Sequence, residues 1–175
     1  MKPVNGGRQD EMAGNAGWDD WLECHAPKLL LFARQRARCE KDAQELVQDA
    51  VVEAWRQQAD GVPPSAGLVF AIIHRRAIDL ARRNERRLNR EMTAHEAAPQ
   101  EWFAPEIEDR ERARMLQDAL NRLPGEQRDV VMLKIWGGLT FAEIATALDI
   151  SANTAASRYR YALKELRKLT KDVFV

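Results

Sequence analysis

Cysteine is nearly absent. Cys24 and Cys39 are the only two in 175 residues, too few and too far apart to frame a disulfide scaffold or a zinc site. Reduced, mostly packed thiols are the expectation that remains. Long apolar runs are missing too. No stretch approaches the roughly 20 residues that a membrane span needs. The N-terminus carries no apolar core of the kind a secretory signal requires. A cytoplasmic protein without membrane insertion is therefore expected. Runs of Val, Ile and Thr are scarce while Ala, Leu, Arg and Glu are plentiful, which disfavours sheet and favours an all-α chain.

Catalytic constellations are also lacking. His25, His74 and His95 stand in unrelated contexts, without metal-ligand spacing, and no Gly-rich phosphate loop occurs. Cys24 and His25 are neighbours, but adjacency alone does not converge them as nucleophile and base. No catalytic residue, metal site or cofactor is expected, and an enzyme is disfavoured. Net charge is absent as well, with 27 basic and 27 acidic side chains. Bulk charge therefore carries no argument about nucleic acid, but its distribution does. Segments 1–60, 61–93, 94–114 and 115–175 carry −3, +4, −3 and +2. Separate faces with separate partners would produce this alternation, and so would chance.

What is present is clearest between Leu139 and Leu169. Thr140 with Glu143 reads as a capping box opening a short helix, with Phe141, Ile144, Ala145 and Leu148 on its apolar side. Ser151 then caps a second helix. That helix turns Ala155, Tyr159, Ala162, Leu163 and Leu166 inward. Outward it shows Asn153, Thr154, Ser157, Arg158, Arg160, Tyr161 and Lys164. A short helix, a tight turn and a longer helix with a small-polar and basic outer face fit a helix-turn-helix. Small hydroxyls and amides bond phosphates or base edges without bulk, and Arg and Lys neutralise phosphate or read guanine. A helical hairpin with a solvated charged face is the plain alternative.

Upstream, residues 1–16 are polar and lack periodicity, which reads as a mobile tail. Trp18, Trp21 and Leu22 open the first apolar stripe, and Pro27 either kinks it or starts a new helix. Leu29, Leu30, Phe32 and Ala33 follow on a core side. From Asp42 to Gln57, Ala43, Leu46, Val47, Ala50, Val51, Ala54 and Trp55 form a buried stripe. Asp42, Glu45, Asp49 and Glu53, with Gln48 beside them, form an acidic outer face. It is either solvated surface or a docking face for a basic partner. A Gly- and Pro-containing loop precedes a helix from Leu68 to about Arg90 that buries Val69, Ile72, Ile73, Ala77, Leu80 and Ala81. Its outer side carries Arg75, Arg76, Arg82, Arg83, Arg86, Arg87 and Arg90, more than solubility requires, and points to phosphate contact. Asp79 is four residues from both Arg75 and Arg83, a spacing that lets it pair with either.

Residues 92–105 hold two prolines, clustered Ala and no sustained stripe, and read as a flexible interdomain linker. Trp102 and Phe103 within it are aromatics of the kind that dock somewhere. A helix over Glu106–Leu123 turns Ile107, Met115, Leu116, Ala119, Leu120 and Leu123 inward. Another, over Glu126–Trp136, buries Val130, Val131, Leu133 and Ile135. The expected architecture is all-α: a tail at 1–16, a helical domain at 17–91, a linker at 92–105 and a helix-turn-helix domain at 106–175.

In this order the motifs resemble the extracytoplasmic-function (ECF) class of sigma-70-family RNA polymerase sigma factors. DAQELVQDAVVEAWR looks like region 2.2, FAIIHRRAIDLARRNERR like regions 2.3 to 2.4, and the stretch from Leu120 to Lys168 like region 4. The resemblance implies that Asp42, Glu45, Gln48, Asp49 and Glu53 dock on the polymerase β′ clamp, with the β flap as a further contact. It implies that the loop Asp60–Ser65 holds a flipped base of the −10 promoter element. Arg75, Arg76, Arg82, Arg83, Arg86 and Arg87, with Asp79 among them, would meet the melted −10 strand. Asn153, Thr154, Ser157, Arg158, Arg160, Tyr161 and Lys164 would face the major groove of the −35 element. Leu68, Arg75, Asp149 and Ala156 depart from the residues usual in the family, namely Trp, Asn, Gly and Lys. Asp149 must then take the left-handed turn conformation, which Asp adopts more readily than most residues. With no sensor domain evident, regulation by a separate anti-sigma protein is expected. A stand-alone helix-turn-helix regulator acting as a dimer is the second reading, but it leaves the acidic face and the Arg-rich helix without a role.

Overall fold

The computed structural model describes residues 7–58, 62–91, 101–103 and 110–169, with side chains described from Gly17 onward and, in the helix ending at Glu91, as far as Arg86. Among the described residues all regular structure is helical: α1 Gly7–Arg34, α2 Glu40–Gln57, α3 Ala66–Glu91, α4 Arg110–Asn121, α5 Gly125–Ile135, α6 Phe141–Leu148 and α7 Ala152–Leu169. α1 begins within the stretch read as a tail and runs through Pro27, which neither starts nor ends it.

α1, α2 and α3 form an N-terminal unit. Leu29, Phe32 and Ala33 of α1 meet Ala43, Leu46, Ala50 and Ala54 of α2 and Val69, Phe70, Ile72, Ile73 and Ala77 of α3, all buried. The alanine row of α2 lets its neighbours approach closely. Phe70, overlooked by the sequence pattern, meets Phe32 edge to face at 5.2 Å. At the α1–α2 corner Arg34 grips Glu40 with two parallel hydrogen bonds of 2.8 Å. Glu40 and Asp42 also favour the positive start of α2.

α4 to α7 form a C-terminal unit around Leu120, Leu123, Val130, Val131, Leu133, Leu139, Ile144, Ala155 and Ala162. Gly138 ends α5 with φ of 70°, a backbone state that suits glycine. The capping box holds. The Glu143 N–H donates to Thr140 Oγ1 at 3.2 Å, and the Thr140 N–H donates to Glu143 Oε2 at 2.7 Å. Asp149 closes α6 in the left-handed conformation, at φ 54° and ψ 51°.

Several inward assignments are corrected. Trp55 is 55% exposed, and Ala81, Met115 and Ile135 are exposed as well, whereas Met132 is buried. Each residue advances about 100° around a helix, which puts Trp55 roughly 120° from the centre of α2's alanine row. The buried side of α3 fades after Ala77 with Leu80 only half-buried, so Ala81 has nothing to pack on. Asp79 comes within 4.0 Å of Arg82 and forms no ion pair with Arg75 or Arg83. Both cysteines are exposed rather than packed.

The two units pack against each other. α6 lies on α3, and one apolar cluster runs through both units. The approach is close at Gly67, where an added Cβ would stand 3.7 Å from the Glu143 Cβ. Arg36, in the turn after α1, pairs with Asp129 of α5, and His74 Nδ1 of α3 lies 3.9 Å from the same carboxylate. At that distance the histidine is in ion-pair range without a hydrogen bond. Trp102 is buried at 5% exposure in the seam between the units. The expectation that it docks is met on the protein itself.

Burial holds the His74 imidazole below its ordinary value of 6.5, the Arg36 charge lowers it further, and Asp129 pulls the other way. The packed structure thus prefers neutral His74. Above the ordinary value both packed and unfolded forms are neutral, and pH has no effect through this group. Below it the unfolded chain takes up a proton that the packed form resists, so stability falls as pH drops below about 6.5. Thermal melts between pH 7.5 and 5.5 should show a decline that a His74→Gln variant flattens. An equal decline in the variant would assign it to other groups.

Candidate nucleic-acid interface

The recognition face is built by α7. Ser151 opens it: the Thr154 N–H donates to Ser151 Oγ at 3.0 Å, and the two hydroxyls lie 2.8 Å apart. The Ser157 hydroxyl donates to the Thr154 carbonyl at 3.0 Å. Those hydroxyls serve the helix start while keeping lone pairs free to accept. Ala155 and Ala162 are fully buried, and Tyr159 packs on Phe141 of α6 at 5.7 Å, so the helix can present only its other side. Asn153, Ser157, Arg160 and Lys164 follow at helical spacing along that side, with Tyr161, Arg167 and Lys168 beside them. Arg160 stands 5.6 Å over the Tyr161 ring.

Arg158 stands apart from the row. Its guanidinium pairs with Glu126 in the first turn of α5, and its side chain is only 25% exposed. Before α7, Glu143 is held below the usual carboxylate range by the Thr140 N–H and then by the Thr140 hydroxyl. The cap's carboxylate therefore keeps its charge to lower pH than an unbonded glutamate would.

The second basic face lies on α3. Arg82, Arg83 and Arg86 are exposed. The side chains of Arg87 and Arg90 lie outside the described residues, as do Asp60 and Gly61 of the preceding loop. In the rest of that loop Val62 is exposed, Pro64 is buried, and Ser65 Oγ accepts the Leu68 N–H at 3.3 Å. Arg75 and Arg76 instead turn to α2. Glu53 pairs with Arg75 and accepts from Arg76 Nε at 2.9 Å, while Asp49 accepts from Arg76 Nη1 at 2.7 Å. Glu53 is consequently only 24% exposed. The expected acidic and basic faces are thus joined edge to edge along one groove, with Asp42, Glu45 and Arg83 on its walls.

Asp42 is half-buried, whereas Glu45, Gln48 and Asp49 are open to solvent. Beside them Val52, at 43%, and Trp55 form an exposed apolar patch. Sequence reasoning missed this patch by assigning Trp55 to the core. Counting angle from the alanine row would have found it. No described group of His, Cys, Asp or Glu could hold a metal ion, and no described helix is long and apolar enough to cross a membrane.

An all-α chain with a capped helix-turn-helix, an open cationic recognition helix and a second arginine face defines a DNA-binding protein of two helical units. Comparison with known proteins narrows this. Residues 21–87 match the family model for sigma-70 region 2, and residues 113–166 match that for sigma-70 region 4. ECF RNA polymerase sigma factor SigK of Mycobacterium ulcerans is 32% identical over 143 residues, covering 75% of either chain. ECF RNA polymerase sigma factor SigL of Mycobacterium tuberculosis is 27% identical over 154 residues, covering 86% of this chain and 87% of that protein. Two solved structures share the fold. Sigma factor RpoE of Bartonella quintana, in complex with the anti-sigma factor NepR, has a TM-score of 0.65 at 23% identity and covers 90% of this chain and 98% of its own. CnrH, in complex with the cytosolic domain of CnrY, has a TM-score of 0.60 at 22% identity, covering 89% and 88%. The chain belongs to the ECF class of sigma-70-family RNA polymerase sigma factors.

The Glu53 network yields a stability contrast. Glu53→Ala leaves two arginines without their shared acceptor and should cost about 1.5–3 kcal/mol, as for a hydrogen bond to a charged group. Asp49→Ala, at a more exposed carboxylate, should cost less than about 1 kcal/mol. Urea titrations of both variants decide it, and equal costs would mean that Glu53 is no hub.

Proposed function

We propose that three faces divide the work of this transcription initiation factor. The α2 face of Asp42, Glu45, Gln48, Asp49 and Glu53, extended by Val52 and Trp55, docks on the β′ clamp of core RNA polymerase. The exposed aromatic within an acidic rim supports this assignment, since anchors of that kind carry much of an interface's energy. The α3 arginines Arg75, Arg76, Arg82, Arg83, Arg86 and Arg87 meet the −10 strand. The open row of α7, namely Asn153, Thr154, Ser157, Arg160, Tyr161 and Lys164, meets the −35 element, with the β flap behind the C-terminal unit. Arg158, drawn aside by Glu126, contributes through position or phosphate. The chemistry of RNA synthesis belongs to the polymerase, and the chain acts in the cytoplasm where polymerase is found.

The observation that carries this reading is the cationic α7 row standing clear of its own domain, in a chain that matches both sigma regions. An anti-sigma partner is supported by the complexes in which the two fold neighbours were solved. A dimeric regulator gains no support, because it has no use for the α2 face.

Mutations should separate the faces. Glu45→Lys with Asp49→Lys should weaken binding to core polymerase and flatten or reverse its salt dependence while leaving helicity unchanged. Arg160→Ala with Lys164→Ala should leave core binding intact and lower promoter-specific run-off transcription, by about 1–3 kcal/mol if a base contact is lost. A lost phosphate contact would instead flatten the salt dependence by about one unit of slope. Full transcription from the α7 variant would remove the recognition-helix assignment.

A further inference from the structure

We infer that Glu126, which lies outside the helix-turn-helix, is a specificity-determining residue for the DNA contact. Its carboxylate holds Arg158 in one orientation and offsets its charge. Arg158 then reads a neutral base acceptor, guanine O6 and N7, rather than phosphate. This role rests on the proposed contact of α7 with DNA, and it narrows the part of Arg158 to position.

Local packing explains why the pair forms. Arg158 is three residues after Ala155 and four before Ala162, both fully buried. Its stem therefore leaves α7 beside the core and not from the outward row. α5 packs against α7. Val130, Val131, Met132 and Leu133 fix α5 in the core, and Glu126 lies in its first turn. The positive start of a helix favours a carboxylate at that point. The two groups thus project from two packed helices, and neither is free to drift.

The pair divides the guanidinium. Nη2 faces Glu126 Oε2, and the Arg158 side chain is 25% exposed against 72% for Glu126. A guanidinium has five N–H donors, so the pair leaves most of them for another acceptor. What remains exposed is available to a ligand, while the enclosed part restricts rotation.

Charge decides what that ligand is. An approaching phosphate meets Arg158 and the open Glu126 carboxylate together. Attraction to one is largely offset by repulsion from the other, so the pair gains little from an anion. A base edge carries no net charge. Hydrogen bonds from the guanidinium to guanine O6 and N7 survive beside a carboxylate. A fork already held in place also loses less freedom on making them. Arg160 and Lys164, exposed on the outward row, suit phosphate better.

The test uses the full chain. Duplexes randomised across the upstream promoter element are selected by the chain with core polymerase and, separately, by the chain alone. A duplex of fixed arbitrary sequence reports non-specific affinity and its salt dependence. The wild type should select guanine at one position at least. Arg158→Lys keeps the charge but loses the fork, and should lower that preference by about tenfold, within the range of a bidentate guanine contact. Glu126→Gln should lower it at the same position, because the guanidinium is released to phosphate. It should also steepen the salt dependence on the fixed duplex by about one unit of slope, whereas Arg158→Lys leaves that slope unchanged. The two substitutions together should lower the preference no further than Arg158→Lys alone. A preference that survives Glu126→Gln would reduce the pair to a tie between α5 and α7 and overturn the inference. So would a preference that survives Arg158→Lys, or a wild type that selects no guanine. Thermal melts accompany each variant. If Glu126→Gln melts early, Glu126→Asp, which keeps the charge, should hold the wild-type slope, and a steeper slope would overturn the role. Selection by the chain alone, with none through core polymerase, would remove the sigma reading and leave the role of Glu126 standing.

Discussion

α3 has to serve two neighbours at once, and most of the structure follows from how it does so. Val69, Phe70, Ile72, Ile73 and Ala77 are buried within a short stretch, a wider apolar arc than one neighbour can cover. α1 and α2 cover one part and α6 covers another. Beyond Ala77 the helix is released to solvent and becomes an arginine rod. One helix is thus core at its start and open to solvent farther on, and the change occurs where its neighbours end.

The same division explains what was legible in the sequence. The helix-turn-helix could be read almost residue by residue, because its signals are local: a capping box, a serine cap, and small residues at inward positions. Asp149 in the left-handed turn follows from the same local logic. The acidic row of α2 and the arginines of α3 were also plain from composition and spacing. What escaped was the relation between them. Nothing within α2 says that Glu53 meets two arginines more than twenty residues later, or that Arg158 meets Glu126. Trp55 was misplaced because hydrophobicity was allowed to outvote angle. Trp102 could be flagged as an aromatic needing a home, but its home is assembled from α1, α4 and α5, and no window of sequence contains all three.

The charges divide in a similar way between private and public use. Arg34 with Glu40, Arg36 with Asp129, and Arg75 and Arg76 with Glu53 spend basic side chains on holding the fold. Arg82, Arg83, Arg86, Arg160 and Lys164 remain exposed. A tally of basic residues therefore overstates the surface available to a nucleic acid: Arg34 and Arg36 are largely buried, and Arg76 is half-buried.

The pairing of α2 with α3 has a consequence at long range. Opposite charges held about 3 Å apart form local dipoles, whose field dies away faster than that of a lone charge and is weakened further beyond a Debye length of about 8 Å in physiological salt. Seen from a distance, the inner part of the N-terminal unit is electrically quiet. α7 is different: among the described residues, its outward row of Arg160, Lys164, Arg167 and Lys168 is answered only by Glu165, which lies 2.8 Å from Lys168. A polyanion approaching by diffusion is steered first toward the recognition helix. Arg75 and Arg76 of α3, tied to Glu53 and Asp49, add little to that long-range field.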